Sequence, residues 1–198
     1  MRFEVVMAEP VAHAVAPTMR FSLRVEEERL VHGIALSAQI MVDPARRTYD
    51  DATRERLVDL FGAPERWAAT TRSFLWTQVG TLVAGFEGAG GFDLVVPCTY
   101  DLDVAAAKYF YSLPDGEIPL SFHFSGTIVH PESQIAMVPW SSSARFMLPV
   151  ETWKAMMALY YPGGGWVRLD HGTLDALQAR KAERGLPSLD AAVAELLA

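Results

Sequence analysis

The sequence is poor in the residues that staple chains or recruit metals. Its 198 residues include one cysteine, Cys98, so no intrachain disulfide can form and no thiolate cage can be assembled within one chain. Asparagine is absent and lysine occurs only at positions 108, 154 and 181, a bias we read as coding composition rather than physics. Charge is also scarce. Only 21% of side chains are charged, against about 25% in ordinary domains. Acidic residues outnumber basic ones 24 to 17, for a net charge of -7. A phosphate-backbone binder needs a basic stripe, so a nucleic-acid partner is excluded. The longest uncharged stretches, Ser73–Phe86 and Ile118–Pro131, are broken by glycine, proline or polar residues. Neither reaches the ~18 apolar residues of a membrane-spanning helix. The first residues, Met1 to Val6, lack a leader-length apolar run, and Glu4 and Glu9 come early; the expectation is a soluble, cytoplasmic protein with no membrane insertion. Phosphate-loop, dinucleotide, zincin, paired-cysteine and nucleophile-elbow signatures are all missing.

What is present suits a globular fold. Apolar residues make up 51% of the chain, and a chain of this length buries roughly 70% of its unfolded surface. In Thr18–Glu26, Met19, Phe21, Leu23 and Val25 alternate with polar neighbours, which predicts a strand with one dry face. Leu30–Val42 repeats the pattern through Ile34, Leu36, Ala38, Ile40 and Val42. The acidic Glu26-Glu27-Glu28 between them reads as a solvated turn, so the two strands are expected to pair antiparallel. Four more strand-like runs follow at Phe74–Phe86, Phe92–Tyr100, Ile118–His130 and Ile135–Leu148, with Gly88-Ala89-Gly90-Gly91 as a loop and Leu113-Pro114-Asp115-Gly116 as a type I turn.

Helical signals fall between and after these runs. Asp50 is positioned to cap a helix carrying Leu57, Leu60 and Phe61 that ends at Gly62. Asp103 is expected to cap a short helix over Val104–Tyr111. From Pro149 the period changes to that of helices: one reaches Pro162-Gly163-Gly164-Gly165, a second spans Thr173–Arg184, and a third spans Leu189–Leu197 after a Ser188 cap. The predicted class is α+β: an antiparallel β-sandwich-like core over residues 1–148, with a helical segment, 149–198, packed on it as part of one domain.

Candidate chemistry is thin, and each candidate has an ordinary structural reading beside it. His13, His32, His123, His130 and His171 show no helical pairing, so a metal would need partners from distant strands. Cys98 shares the dry face of its strand with Val96 and Tyr100, where burial makes a thiol inert rather than nucleophilic. Asp101, Asp103, Asp115 and Glu117 could converge as an acid–base or cation site, but aspartates also cap helices and make turns. The glycines after Pro162 could bring amides to an anion or simply connect helices. No catalytic residue, metal ligand or cofactor is assigned from the sequence. The strongest lead is Trp153, Met156, Met157, Tyr160, Tyr161 and Trp166, an aromatic and methionine set that wraps most of a helix. One side would pack on the sheet, and the rest is expected to bind a protein partner. Residues 61–147 carry only twelve charged side chains, which also makes self-association an expectation.

Several segments resemble an actinobacterial family of unknown function. They are Ser73-Phe74-Leu75-Trp76-Thr77, Cys98-Thr99-Tyr100-Asp101, Ala107-Lys108-Tyr109, Asp115-Gly116-Glu117-Ile118-Pro119-Leu120, Phe124-Ser125-Gly126-Thr127, Val138-Pro139-Trp140 and Leu159-Tyr160-Tyr161-Pro162. The likeness runs from Phe3-Glu4-Val5 across nearly the whole chain, with mild departures at Ser141-Ser142-Ser143 and Gly163-Gly164-Gly165. The resemblance implies genes that neighbour those of the actinobacterial-type uptake [NiFe]-hydrogenase, and it transfers no catalytic or ligand residue. Three functions are therefore expected in turn: a non-enzymatic accessory protein that binds a hydrogenase component, a small-molecule binder or enzyme with a pocket between sheet and helices, and a chaperone-like holdase.

Overall fold

The computed structural model describes residues 1–198. Six strands form one antiparallel sheet: β1 (Arg2–Pro10), β2 (Thr18–Val42), β3 (Phe74–Pro97), β4 (Glu117–Val129), β5 (Ile135–Met137) and β6 (Ser143–Pro149). The helices are α1 (Asp51–Arg56), α2 (Val58–Phe61), α3 (Trp67–Thr70), α4 (Ala105–Ser112), α5 (Val150–Tyr160), α6 (His171–Arg184) and α7 (Leu189–Leu197). The expected α+β class is what the chain adopts.

The two central strands are longer than their sequence suggests. Thr18–Glu26 and Leu30–Val42 are not partners in a hairpin; they are one 25-residue strand, β2. Its antiparallel neighbour β3 likewise runs 24 residues straight through the expected Gly88–Gly91 loop. Straight, 25 extended residues would reach about 80 Å, roughly twice the diameter of a body of 165 residues. The ribbon must therefore fold over, and it does so where the turn signals lie. Glu27 pairs with Gly88 and Val31 with Phe86, so residues 28–30 of β2 face Glu87 alone. This bulge creases both strands together, and the ladder resumes on either side. Gly88 at the crease has φ +71°, which favours glycine. The residues expected to reverse the chain instead crease two continuous strands.

Folding the ribbon makes two layers from one sheet. The first holds β1, the start of β2 and the end of β3; the second holds the start of β3, the end of β2, β4, β5 and β6. The alternating apolar residues expected to share dry faces do so, and those faces meet. Phe21 of the first layer lies edge-on to Phe122 at 5.3 Å and to Trp76 at 6.0 Å in the second. Phe3 stacks on Phe124 at 4.2 Å. Aromatic pairs of this kind add about 0.5–1.5 kcal/mol beyond burial. Gly126 must be glycine: its φ is +154° and a Cβ would sit 2.1 Å from the Ala35 carbonyl oxygen.

The helix ends follow the caps in most cases. Asp50 accepts from the Thr53 amide at the start of α1, and Ser188 from the Ala191 amide at the start of α7. Gly185, left-handed at φ 62°, ends α6. Asp103 does not cap α4. Its amide instead donates to the Asp101 carboxylate at 3.0 Å, and Val104 takes the cap position without a side-chain bond. The run expected over Ile135–Leu148 is divided by Val138–Ser142 into β5 and β6. The chain separates into two units, Met1–Gly165 and Trp166–Ala198. The division falls after α5 rather than at residue 148, because α5 belongs to the sandwich core through Val150, Trp153, Met156 and Met157. The second unit pairs α6 with α7, where Arg184 and Arg180 both reach Glu195.

Candidate functional site

The aromatic and methionine set on α5 is largely consumed within the chain. Trp153, Met156 and Met157 are buried, which corrects the expectation that they face a partner. Tyr160 donates its hydroxyl to the Val11 carbonyl at 2.7 Å and accepts from the Ala14 amide at 2.9 Å. Tyr161 stacks on Tyr100 at 5.5 Å. Trp153 sits 5.9 Å from Phe110 of α4, fixing the two helices to each other. Trp166 is half exposed and begins the second unit. The helix looked greasy all round because strands, α4 and the loop after β1 each take a side of it.

The ionisable candidates are not brought together. Between β3, α4 and α5 lies a cavity of about 330 Å³ lined by Trp76, Cys98, Phe110 and Trp153 among others, with no charged side chain. It includes Cys98 and none of Asp101, Asp103, Glu117 or His123. Burial pushes the Cys98 thiol up to about 12, so it is not a nucleophile at neutral pH. The thiol donates to the Val96 carbonyl at 3.4 Å. Asp101 and Asp103 make successive local turns, with the Asp101 amide on the Thr99 hydroxyl. Asp115 and Glu117 are exposed, their backbone carbonyls each accept from the Arg47 guanidinium at 2.7 Å, and the Asp115 carboxylate lies farther from it at 3.9 Å. His130 is buried with Nδ1 2.9 Å from the Leu30 carbonyl oxygen, beside the crease. His123 lies on the outer side of β4. No three His, Cys, Asp or Glu side chains gather as a metal-holding group.

Sequence reasoning missed one buried polar contact. The hydroxyls of Tyr49 and Tyr109 meet at 2.7 Å, and Tyr49 passes its proton's bond to the Pro44 carbonyl. Burial, followed by the charge and hydrogen bond of Tyr49, drives Tyr109 far above the usual tyrosine range. Burial also raises Tyr49, with Tyr109 and Arg47 offsetting part of the rise. Neither hydroxyl can serve as a base at neutral pH. They pin the segment before α1 to α4.

A different surface stands out once the layers are in place. On the outer side of the second layer, four rows of residues run across neighbouring strands. One row is Ala84, Gly33, Val129 and Ile135; the next is Leu82, Ala35, Thr127 and Met137; then come Gly80, Ser37 and Ser125, and last Gln78, Gln39, His123 and Ser143. His123 is the sole ionisable group among them. Strand spacing and rise give this face roughly 400 Å², the size of functional patches on monomers. Its first two rows are greasy: Leu82 is 83% exposed, Ile135 72% and Met137 68%. Three residues beyond Met137, in the connection to β6, Trp140 is 94% exposed. The sequence expectation set Trp140 inside a strand over Ile135–Leu148; the break of that run at Val138–Ser142 leaves it in a connection instead.

The chain is thus an α+β protein built on a single antiparallel sheet creased into two layers. It belongs to the family of unknown function DUF6084, whose sequence profile matches residues 1–198. No curated protein matches it. Among solved structures, it is similar to a protein described as late embryogenesis abundant, at 12% identity and TM-score 0.37 over 75% of this chain and 71% of that one. It is also similar to Spo0M, a sporulation control protein from Bacillus subtilis, at 10% identity and TM-score 0.33 over 90% of this chain and 56% of that one.

Proposed function

We propose that this protein is a non-enzymatic accessory module that binds another protein through the four charge-poor rows on the outer face of its second layer, bounded by Arg145 in the row beyond, with Trp140 as the anchor at the edge of that patch. The observation that carries the reading is the exposure of Leu82, Ile135 and Met137 on adjoining rows of a sheet-face patch that holds no Asp, Glu, Lys or Arg, with Trp140 exposed in the connection that follows. Exposed tryptophan set against a flat apolar patch is the composition of interface hot spots. The resemblance of the sequence segments favours a component of the [NiFe]-hydrogenase as the partner, met in the cytoplasm of an actinobacterium. Catalysis is disfavoured because Asp101, Asp103, Glu117, His123 and Cys98 occupy separate places.

The test is recovery of hydrogenase-operon products from the native host by the tagged chain, beside its Trp140→Ala and Ile135→Lys/Met137→Lys variants. The wild type retains a hydrogenase component, and each variant loses at least tenfold of it while its thermal midpoint stays put. Recovery of no such product, or equal recovery by all three proteins, overturns the proposal.

A further inference from the structure

The free backbone edge of β3 borders the side-chain face just described and offers a different kind of contact. β3 pairs with β2 alone, so the other side of a 24-residue strand carries no strand partner. Natural sheets blunt such edges with lysine, proline or inward charges. Between Arg72 and Glu87 this edge has none of these: residues 73–86 contain neither a charge nor a proline.

We propose that two copies of the chain pair antiparallel along this edge, around a two-fold axis at Gly80. Three features favour a second copy as the occupant. The chain carries a net charge of -7, so like molecules repel at most contacts, and an uncharged edge is where two can meet. The first charges flanking the run are opposite in sign, Arg72 before it and Glu87 after it. Antiparallel pairing about Gly80 over the regular stretch beyond the bulge at Trp76 turns the Glu87 end of each copy toward the Arg72 end of the other, so the charges flanking the seam attract at both ends. A two-fold contact uses the same edge on both copies and closes, leaving a dimer rather than a filament. At the seam Leu82 faces Gln78 of the second copy, on the same side as the docking face, which would double in width. The contact extends about ten residues, some 33 Å of strand. That is small among specific interfaces, so the dimer dissociates on dilution.

Sedimentation equilibrium of the full chain across a concentration series tests this. The mass is expected to rise from the monomer's 21.8 kDa toward twice that value. Gly80→Lys places two ammonium groups against each other at the axis, and a Cβ there has ordinary clearance, 3.7 Å from the Leu36 carbonyl oxygen; the variant stays monomeric at every concentration. Arg72→Glu weakens association at least fivefold, and Arg72→Glu/Glu87→Arg restores it. A wild type at monomer mass up to millimolar concentration, a Gly80→Lys variant that still dimerises, or a double variant no better than Arg72→Glu, would each overturn the proposal. The docking-face variants Ile135→Lys/Met137→Lys leave the dimer intact, which separates failure here from failure of the partner reading.

Discussion

The two halves of β2 have the same backbone, the same neighbour β3 and equally dry inner faces, yet their outer faces differ. In the first layer, the outer residues of β2 and β1 oppose each other as Arg20 with Glu9, Arg24 with Glu4, and Glu26 with Arg2. Three of the four directly opposed outer pairs are of opposite charge, the exception being Met7 with Ser22, and Arg20 reaches Glu9 at 3.4 Å. In the second layer, the corresponding outer residues of β2 are Gly33, Ala35, Ser37 and Gln39, and their neighbours on β3 and β4 include only His123 as an ionisable group. The first face is mostly charged, with Met7 and Val95 as apolar exceptions, whereas the second carries no Asp, Glu, Lys or Arg until the row of Arg145, although nothing in the strand geometry forbids them. A folded ribbon exposes both outer faces alike, so the difference is chemical, and it is the ground on which the second layer is proposed as the binding face.

The comparison requires that the inner faces really are equivalent and mutually buried. The largest expected effect tests this. Phe21 of the first layer is fully buried against Trp76, Phe122 and Phe146 of the second. Phe21→Ala should cost about 3–5 kcal/mol, as for large truncations in packed cores, measured by urea unfolding. A loss under about 1 kcal/mol would mean that the layers do not close on each other, and the distinction between inner and outer faces would fail.

Much of this fold was legible because it is local. Period-two alternation assigned the inner residues of β2 and β4, and Asp50, Ser188, Gly62 and Gly185 marked helix ends, since each signal depends on neighbours within a few residues. The crease was not legible. Glu26–Glu28 and Gly88–Gly91 each look like a turn alone, and only their pairing across two strands turns them into a bulge. The docking residues failed for a similar reason. Whether Trp153 is buried or presented depends on Tyr100 and Phe110 from distant segments, and no helical period carries that information. Trp140 was hidden within an expected strand over Ile135–Leu148, and the outer rows of the second layer required the register of four strands.

Inside the molecule the ionisable groups behave as structure, and pH should reveal it. The Cys98 thiol is raised from its ordinary 9.0 to about 12, so the fold favours its protonated form. Its contribution is complete below pH 9, where folded and unfolded thiols are both protonated, and is lost as pH rises from 9 through 12. Over that window stability should fall by up to about 1.4 kcal/mol per pH step for each proton released only on unfolding. Tyr49 and Tyr109 are also raised and add to the fall above pH 10. Cys98→Ala should flatten the portion beginning at pH 9 and leave the later one, as read by urea midpoints at successive pH values. An unchanged profile would mean that the thiol is solvated in the folded protein.

The smallest expected effect bears most directly on the comparison. If the second layer lacks charge because its packing cannot hold any, then Gln39→Lys, on an exposed position between Gln78 and His123, should cost about 2 kcal/mol or more as a buried cation would. If the absence instead reflects a surface kept ready for a partner, a lysine there is an ordinary surface change worth within about 0.5 kcal/mol. That is comparable to removing one member of an exposed pair on the other face with Arg20→Ala. We expect the second result: both variants near the wild-type urea midpoint, Arg20→Ala unaltered in partner capture, and Gln39→Lys impaired in it. Equal stability with unequal binding would show that folding tolerates charge on both faces and that the partner tolerates it on one. A large stability loss at Gln39 alone would return the uncharged face to the architecture and take away the ground for reading it as a docking surface.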